Sequence, residues 1–492
     1  MGHCGGVVLV TLALFCFFVS VKGEANFEDD FLFSLAANHD YKDALGKGIL
    51  FFEGQRSGKL PSSQRVTWRG DSALSDGKPE GANLVGGYYD AGDNVKFVWP
   101  MAFSVCLLSW AAVEYQQEIS SANQLKHLRD AIRWGADFIL EAHTSPTTLY
   151  TQVGDGNSDH QCWERPEDMD TSRALFKITS NSPGSEAAAE AAAALAAASI
   201  VFKGVDSNYS SRLLRNSEST NIEDLTKVLV HSTAHTLAIS CLILQTNIED
   251  LTKVLVHSIA HTLAISETPS QEFYGGKKDL EKYKNDIESF ICAVMPGSSS
   301  VQIRTTPGGL LYTRDSSNLQ YVTTVTMALL IHSKTISAAQ SGGVQCGSAK
   351  FSASQIRAFA KSQVDYILGN NPMKTSYMVG FGSKYPTQLH HRGASIPSIR
   401  VHPTKVGCNE GQNLYFSSTK PNPNIHVGAL VGGPNSNDQF NDVRSDYSHL
   451  EPTSYINAAF VGSVAAFLAE NNENYLQLSR VKTTAELYTA NI

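Results

Sequence analysis

Along much of the chain, apolar residues return every three to four positions, the period of a helix with one buried face. Between 125 and 143, Leu128, Ile132 and Ile139 fall on one side of such a helix. Similar patterns predict helices over 41–55, 101–118, 186–203, 277–295, 318–337, 352–369 and 452–471. Ala187 to Ala198 is almost entirely alanine, interrupted by Glu190 and Leu195, which adds intrinsic helix propensity to the pattern. No stretch alternates apolar and polar residues long enough for a large sheet, so an all-α fold is expected. Gly-, Pro- and Asp-rich loops separate the helices at 56–94, 144–186, 296–317 and 371–450. Loops of that length inside a compact domain usually carry function.

One region breaks the pattern. Thr220 to Ser240 and Thr246 to Ser266 are copies offset by 26 residues that differ only at Thr233 versus Ile259. Stacked repeats need about three or more units to bury a common core, so a recent duplication or an error of gene assembly accounts for the pair better than a solenoid does. Each copy holds a His-x-x-x-His pair, His231/His235 and His257/His261. The helical metalloprotease motif needs Glu directly after the first His as its general base, and Ser232 and Ser258 stand there. No metal site is expected.

The amino terminus reads differently again. Val7 to Val21 is apolar except for Thr11 and Ser20, shorter than the ~20 residues of a membrane-spanning helix. It fits a secretory signal cut before Glu24, with an uncleaved anchor as the alternative; Met1-Gly2-His3 lacks the usual basic residue. Residues 1–23 are thus assigned to the signal and 24–492 to a single catalytic domain. The product would be extracellular, with no membrane segment after cleavage. Removing the signal takes Cys4 and Cys16 and leaves Cys106, Cys162, Cys241, Cys292, Cys346 and Cys408, widely spaced and compatible with one or two bridges of unspecified pairing. Asn208-Tyr209-Ser210 is a glycosylation sequon. With 39 Lys+Arg against 47 Asp+Glu, a net charge of −8 and no run of four basic residues, nucleic acid is not an expected partner.

The chemistry sits in the loops. Gly86 to Asn94 reads GGYYDAGDN, and its carboxylates Asp90 and Asp93 could hold and deprotonate a water. An N-cap cluster is the plainer reading of that motif alone. A second cluster, Asn441 to Asp446, precedes Glu451-Pro452-Thr453 at the start of the last predicted helix, where proline and glutamate are also favourable for structural reasons. Together the clusters suggest glycoside hydrolysis, which needs one protonated carboxylic acid and one carboxylate, held ~6.5–9.5 Å apart in an inverting enzyme. Tyr88, Tyr89, Trp99 and Trp163 could stack on sugar faces.

On these residues the sequence resembles plant-type endo-1,4-β-glucanases of glycoside hydrolase family 9. The matching stretches are DYKDALGKGILFFEGQRSGKLP, LVGGYYDAGDNVKF, VGDGNSDHQCWERPEDMDTSR, QVDYILGNNPMKTSYMVGFG and DYSHLEPTSYINAAF. Both family active-site patterns are present, one in Ser376 to Arg392 and the other in Phe440 to Ala458, the latter with Asp442, Tyr447, Glu451, Thr453 and Asn457 in register. The resemblance implies an (α/α)6 barrel of twelve helices with an open cleft and no cofactor. It implies Asp93 as general base, Asp90 as a residue that helps hold the water, and Glu451 as general acid. His390, Arg392 and Asp442 would position sugar hydroxyls and tune the carboxylates. His160, Trp163 and Arg165 would lie in a cleft-lining loop, with Tyr447 also binding substrate. The implied partner is a β-1,4-glucan, cut at internal bonds by a monomeric, secreted enzyme acting on cell-wall material. In the middle, 214–271 lacks the Gly-Tyr-x-Asp-Glu-Leu-Leu-Trp-type helix and Trp-Asp-Asn-Lys-type loop of that family, so an incomplete or altered barrel is expected there. A catalytically impaired relative, or a faulty gene reading, that at most binds glucan is the alternative.

Overall fold

A computed structural model describes residues 39–219, 278–298 and 302–468. The expected signal at 1–23, both copies of the duplicated segment with their histidine pairs, and the chain end lie outside the described residues. The described residues from Asp40 onward form one compact unit.

Nine helices of twelve residues or more occur among the described residues: α1 (Tyr41–Gly54), α2 (Val98–Glu114), α3 (Leu125–Ala142), α4 (Ser185–Phe202), α5 (Ser207–Ser219), α6 (Lys278–Val294), α7 (Leu319–Ala339), α8 (Ala353–Ile367) and α9 (Ser454–Ala465). They divide into two layers by how much of their circumference is apolar. In α2, Met101 to Ala112 is buried without a break, and α4, α7 and α9 are likewise buried on nearly all sides. A helix apolar all round belongs inside a protein. The alanines of α4 let it lie close against α2, and α2 and α7 both pack on α9. The outer helices bury one stripe each. In α3 this runs through Leu128, Ala131, Ile132, Gly135, Phe138 and Ile139, and α3 packs across α2 and α4 while α5 covers α4, α8 covers α7 and α1 covers α9.

Local chemistry sets the ends. The Asp40 carboxylate accepts from the Asp43 amide at 2.9 Å to start α1, and Ser352 with Gln355 forms a capping box on α8. α9 begins two residues later than its periodicity suggests, because Thr453 is extended and its hydroxyl accepts from the Ile456 amide. Glu451 and Pro452 are thereby left outside the helix, at its mouth.

Two features escaped the periodicity. Helix α5, SNYSSRLLRNSES, is too polar to read as amphipathic, yet Tyr209, Leu213 and Ser217 make a buried face at i, i+4 and i+8, and Asp206 accepts from the Tyr209 amide. The loop expected at 144–186 also contains strands. β3 (Thr148–Val153) pairs antiparallel with β1 (Lys96–Phe97), β2 (His143–Ser145) and β4 (Leu175–Thr179), and register shifts within the β2 and β4 pairings interrupt the alternation that would reveal them. This small sheet has a functional consequence. Pairing Lys96 with Val153 brings the 86–94 loop beside the 154–165 loop. A second hairpin, β5 (Val344–Cys346) with β6 (Ala349–Phe351), is tied to α6 by Cys292–Cys346, and Cys162–Cys408 joins two site loops.

Candidate active site

The two carboxylates come from opposite ends of the chain and are held by backbone. Residues 86–94 are fixed from below by buried Lys96, which ion-pairs with Asp76 at 2.9 Å and donates to Gly86 O at 3.1 Å. Buried Gln55 donates to Ala91 O at 2.7 Å and accepts at 2.7 Å from the His391 ring. His391 Nδ1 accepts the Ala394 amide, so its proton is on Nε2, and burial keeps the ring neutral by pushing its pKa well down. Asn94 is anchored three ways: its amide donates to Asp159 Oδ1, its side chain donates to Glu164 O, and its carbonyl accepts from Arg173.

The segment 390–392 splints the acid to the base. The His390 amide donates to Leu450 O, immediately before Glu451, at 3.2 Å, and the Arg392 amide donates to Gly92 O, immediately before Asp93, at 3.0 Å. The Ser454 amide adds a third tie, to Asp90 O. Gly92 lies in the middle of this contact. Its amide donates to Glu451 Oε1 at 3.0 Å, and a Cβ placed on it would lie 2.0 Å from His390 O. Glycine is required there by close approach of backbones.

The electrostatics separate the carboxyls. Burial raises the Glu451 pKa to about 7, reinforced by the negative charge of Asp93 and opposed by Arg392 and the Gly92 amide. Asp90 is pushed well up by burial and by Asp93 and Glu451, and its Oδ1 meets no protein donor. Asp93 is buried, accepts the Ala91 amide at 3.3 Å on Oδ1, and has His160 Nε2 at 3.6 Å from Oδ2. That contact raises the His160 pKa. The arrangement supplies a carboxylic acid that holds its proton near neutrality, a buried carboxylate beside it, and an acceptor for a third donor. This is the separation of roles that general acid–base hydrolysis requires. Beside Asp90 lies an open cavity of about 490 Å3, lined by Trp99, Gln152, Arg314, Tyr321 and Tyr455 among others.

Several residues expected to touch substrate are used inside the fold instead. Arg392 is buried and donates to Cys162 O, Gly92 O and Asp159 O, so its guanidinium braces the loops. Arg165 binds Pro397 O, Thr404 O and Asp168 and pins the 397–404 loop. Asp442 accepts the amides of Thr387 and Gln388, which positions the approach to His390 rather than the carboxyl groups. Trp163 is only 3% exposed, with its Nε1 donating to Ser395, and Tyr88 and Tyr89 are also buried. None of these three rings offers a face to a sugar; Trp99 lines the cavity. Trp163 instead supports His390 edge-on at 4.9 Å, beside Phe416 and the 60% exposed Tyr447. His390 Nδ1 meets Arg444 O at 2.9 Å, which places the proton on Nδ1 and leaves Nε2 an acceptor on a ring kept neutral by burial, with a pKa of about 4.

Sequence reasoning gave no role to Asp159, Arg444 or Phe416. Asp159 was signalled only by being next to His160. Arg444, which gathers the carbonyls of Tyr415, Phe416 and Lys420, carries no local signature because its partners are more than twenty residues away. Asp93, Asp159 and His160 place one ligand atom each within 4.8 Å of one another. The Asp159 carboxylate already pairs with Arg392, however, which makes the trio a proton and charge network rather than a metal cradle.

A profile of glycosyl hydrolase family 9 matches residues 41–221 and 238–464. The chain belongs to this family. It is therefore a glycoside hydrolase, and its two helical layers are those of an (α/α)6 barrel. An endoglucanase of Phaseolus vulgaris is 61% identical over 490 residues, covering 94% of this chain and 99% of the relative. Endoglucanase 20 of Arabidopsis thaliana is 60% identical, covering 88% and 95% respectively. Among solved structures, the endoglucanase of the termite Nasutitermes takasagoensis superposes with a TM-score of 0.71 at 33% identity, covering 89% of this chain and 100% of its own. Endoglucanase CelQ of Clostridium thermocellum, complexed with cellobiose and cellotriose, gives 0.67 at 27% identity, covering 88% and 71%.

Proposed function

We propose that the protein is a secreted endo-1,4-β-glucanase that cuts internal bonds of cellulose-like glucans by inversion, acting in cell-wall degradation or remodelling. The observation that carries the reading is the pairing of Glu451, held protonated to about pH 7, with buried Asp93 across the Gly92 amide. Glu451 protonates the leaving oxygen. Asp93 takes the proton of the attacking water, with Asp90 Oδ1 as the further acceptor for that water. The names and bound sugars of the relatives support the substrate class.

The test is reducing-end release from a soluble β-1,4-glucan, with solution viscosity recorded in parallel. Wild type should lower viscosity early, as internal cleavage requires, and Glu451→Gln should release at least a hundredfold less, on the order of the loss of a general acid. Equal release by the two proteins would sink the catalytic reading and leave the impaired, glucan-binding alternative. Proton NMR of the first product distinguishes inversion, which gives the α-anomer, from retention. Secretion is tested separately: the mature protein should begin at Glu24, and exposed Asn208, in the first turn of α5, should carry a glycan removable by an amidase.

A further inference from the structure

We propose that Asp159 is a positioning residue for the reaction, clamping with Arg392 the two peptide groups that flank Asp93. This rests on the reading of Asp93 as the general base. The peptide after Asp93 is held by Asp159, whose Oδ1 accepts the Asn94 amide at 3.1 Å. The peptide before it is held by Arg392, whose amide and Nη1 both donate to Gly92 O, at 3.0 and 3.1 Å. The two arms are joined to each other, with Arg392 Nη2 3.1 Å from Asp159 Oδ2 and 2.9 Å from Asp159 O. A further bond, from Arg392 Nε to Cys162 O, extends the brace to the disulfide-linked loop. Asp93 thus sits at the centre of a closed ring of contacts that fixes its backbone on both sides.

Asp159 is suited to this role and to no direct one. It is 2% exposed, inside the short helix Gly156–His160 that Asp155 caps, so its carboxylate is out of reach of a polysaccharide. Being one residue before His160, it also sets where that ring stands against Asp93 Oδ2. Its neighbours are Arg392, Asp93, His160 and, further off, Arg173. Burial and Asp93 raise its pKa to about 6 against the pull of Arg392.

The experiment compares full-length wild type, Asp159→Asn, Asp159→Asn/Arg392→Gln and Asp93→Asn on a soluble β-1,4-glucan between about pH 4 and 9, with melting temperatures measured alongside. In Asp159→Asn the amide can still accept the Asn94 amide, but its NH2 meets the Arg392 donors and pushes that arm away. Its kcat should fall by about 10- to 100-fold, the scale set by displacement of a catalytic group. KM should stay within about twofold. If the unpaired Arg392 charge prevents folding, the double variant removes it; that protein should fold and still show the lowered kcat. A loss of melting temperature with kcat unchanged would reduce Asp159 to a structural residue and overturn the proposal. A raised KM at constant kcat would overturn it as well. Substantial activity in Asp93→Asn would instead refute the assignment of the base, on which the clamp depends.

Discussion

Gly92→Ala tests the architecture of the site with a single methyl group. The added Cβ would stand 2.0 Å from His390 O and 3.1 Å from Glu451 Oε1. Ordinary contact is about 3.5 Å, so the loop and the 390–392 segment must separate by about 1.5 Å. The obstruction is backbone, which no rotamer change relieves. Overpacking of this kind costs about 1–3 kcal/mol. The same displacement breaks the Gly92 amide bond to Glu451 and loosens the Arg392 bonds to Gly92 O. A displacement of about 1 Å can cost 10²-fold in rate, so kcat should fall by at least that factor while the protein still folds. Reducing-end assays and thermal melts read the two effects separately. Wild-type kcat in Gly92→Ala, at any stability, would refute the claim that this backbone contact sets the distance between acid and base.

The pH dependence of stability should also expose Glu451. Its pKa is raised from the ordinary 4.5 to about 7, so the fold binds this proton more tightly than the unfolded chain does, and the contribution is complete below about pH 4.5 and lost as pH rises through about 7. Against Glu451→Gln, which stays neutral, wild type should therefore match in melting temperature near about pH 4 and be less stable above about pH 8, by about 1–2 kcal/mol. A constant difference across that range would contradict the assignment. Replacing Cys162 and Cys408 by serine opens a link across 246 residues; about 2–4 kcal/mol of stability should be lost, seen as a lower melting temperature that reductant no longer changes through this bridge. Tyr447→Ala, at a 60% exposed ring beside His390, should leave stability within about 0.5 kcal/mol and raise KM with little change in kcat.

Much of the protein could be read from residue order alone. Helix periodicity located eight of the helices to within a few residues, because a buried stripe at 3.6-residue spacing is a local property. Among the described helices of twelve residues or more, only α5 was overlooked, since its buried face uses Ser217 and Tyr209 as well as Leu213. The motifs around Asp90, Asp93, His390 and Glu451 were legible as well, because each is a short run with an unusual density of glycine, acid and histidine.

Tertiary structure decided which side chains face substrate and which face the protein. Trp163, Arg165 and Arg392 look like binding residues in sequence, and the fold spends their polar groups on distant partners such as Ser395 Oγ, Pro397 O and Cys162 O. The same holds for Asp159 and Arg444, whose importance comes entirely from partners in other loops. A pKa near 7 for Glu451 is likewise a property of place. Sequence supplies the carboxyl, but its protonation depends on burial and on Asp93, which is 358 residues earlier in the chain. Local sequence fixes what a segment can form; desolvation and hydrogen bonding between remote segments fix what its side chains are free to do.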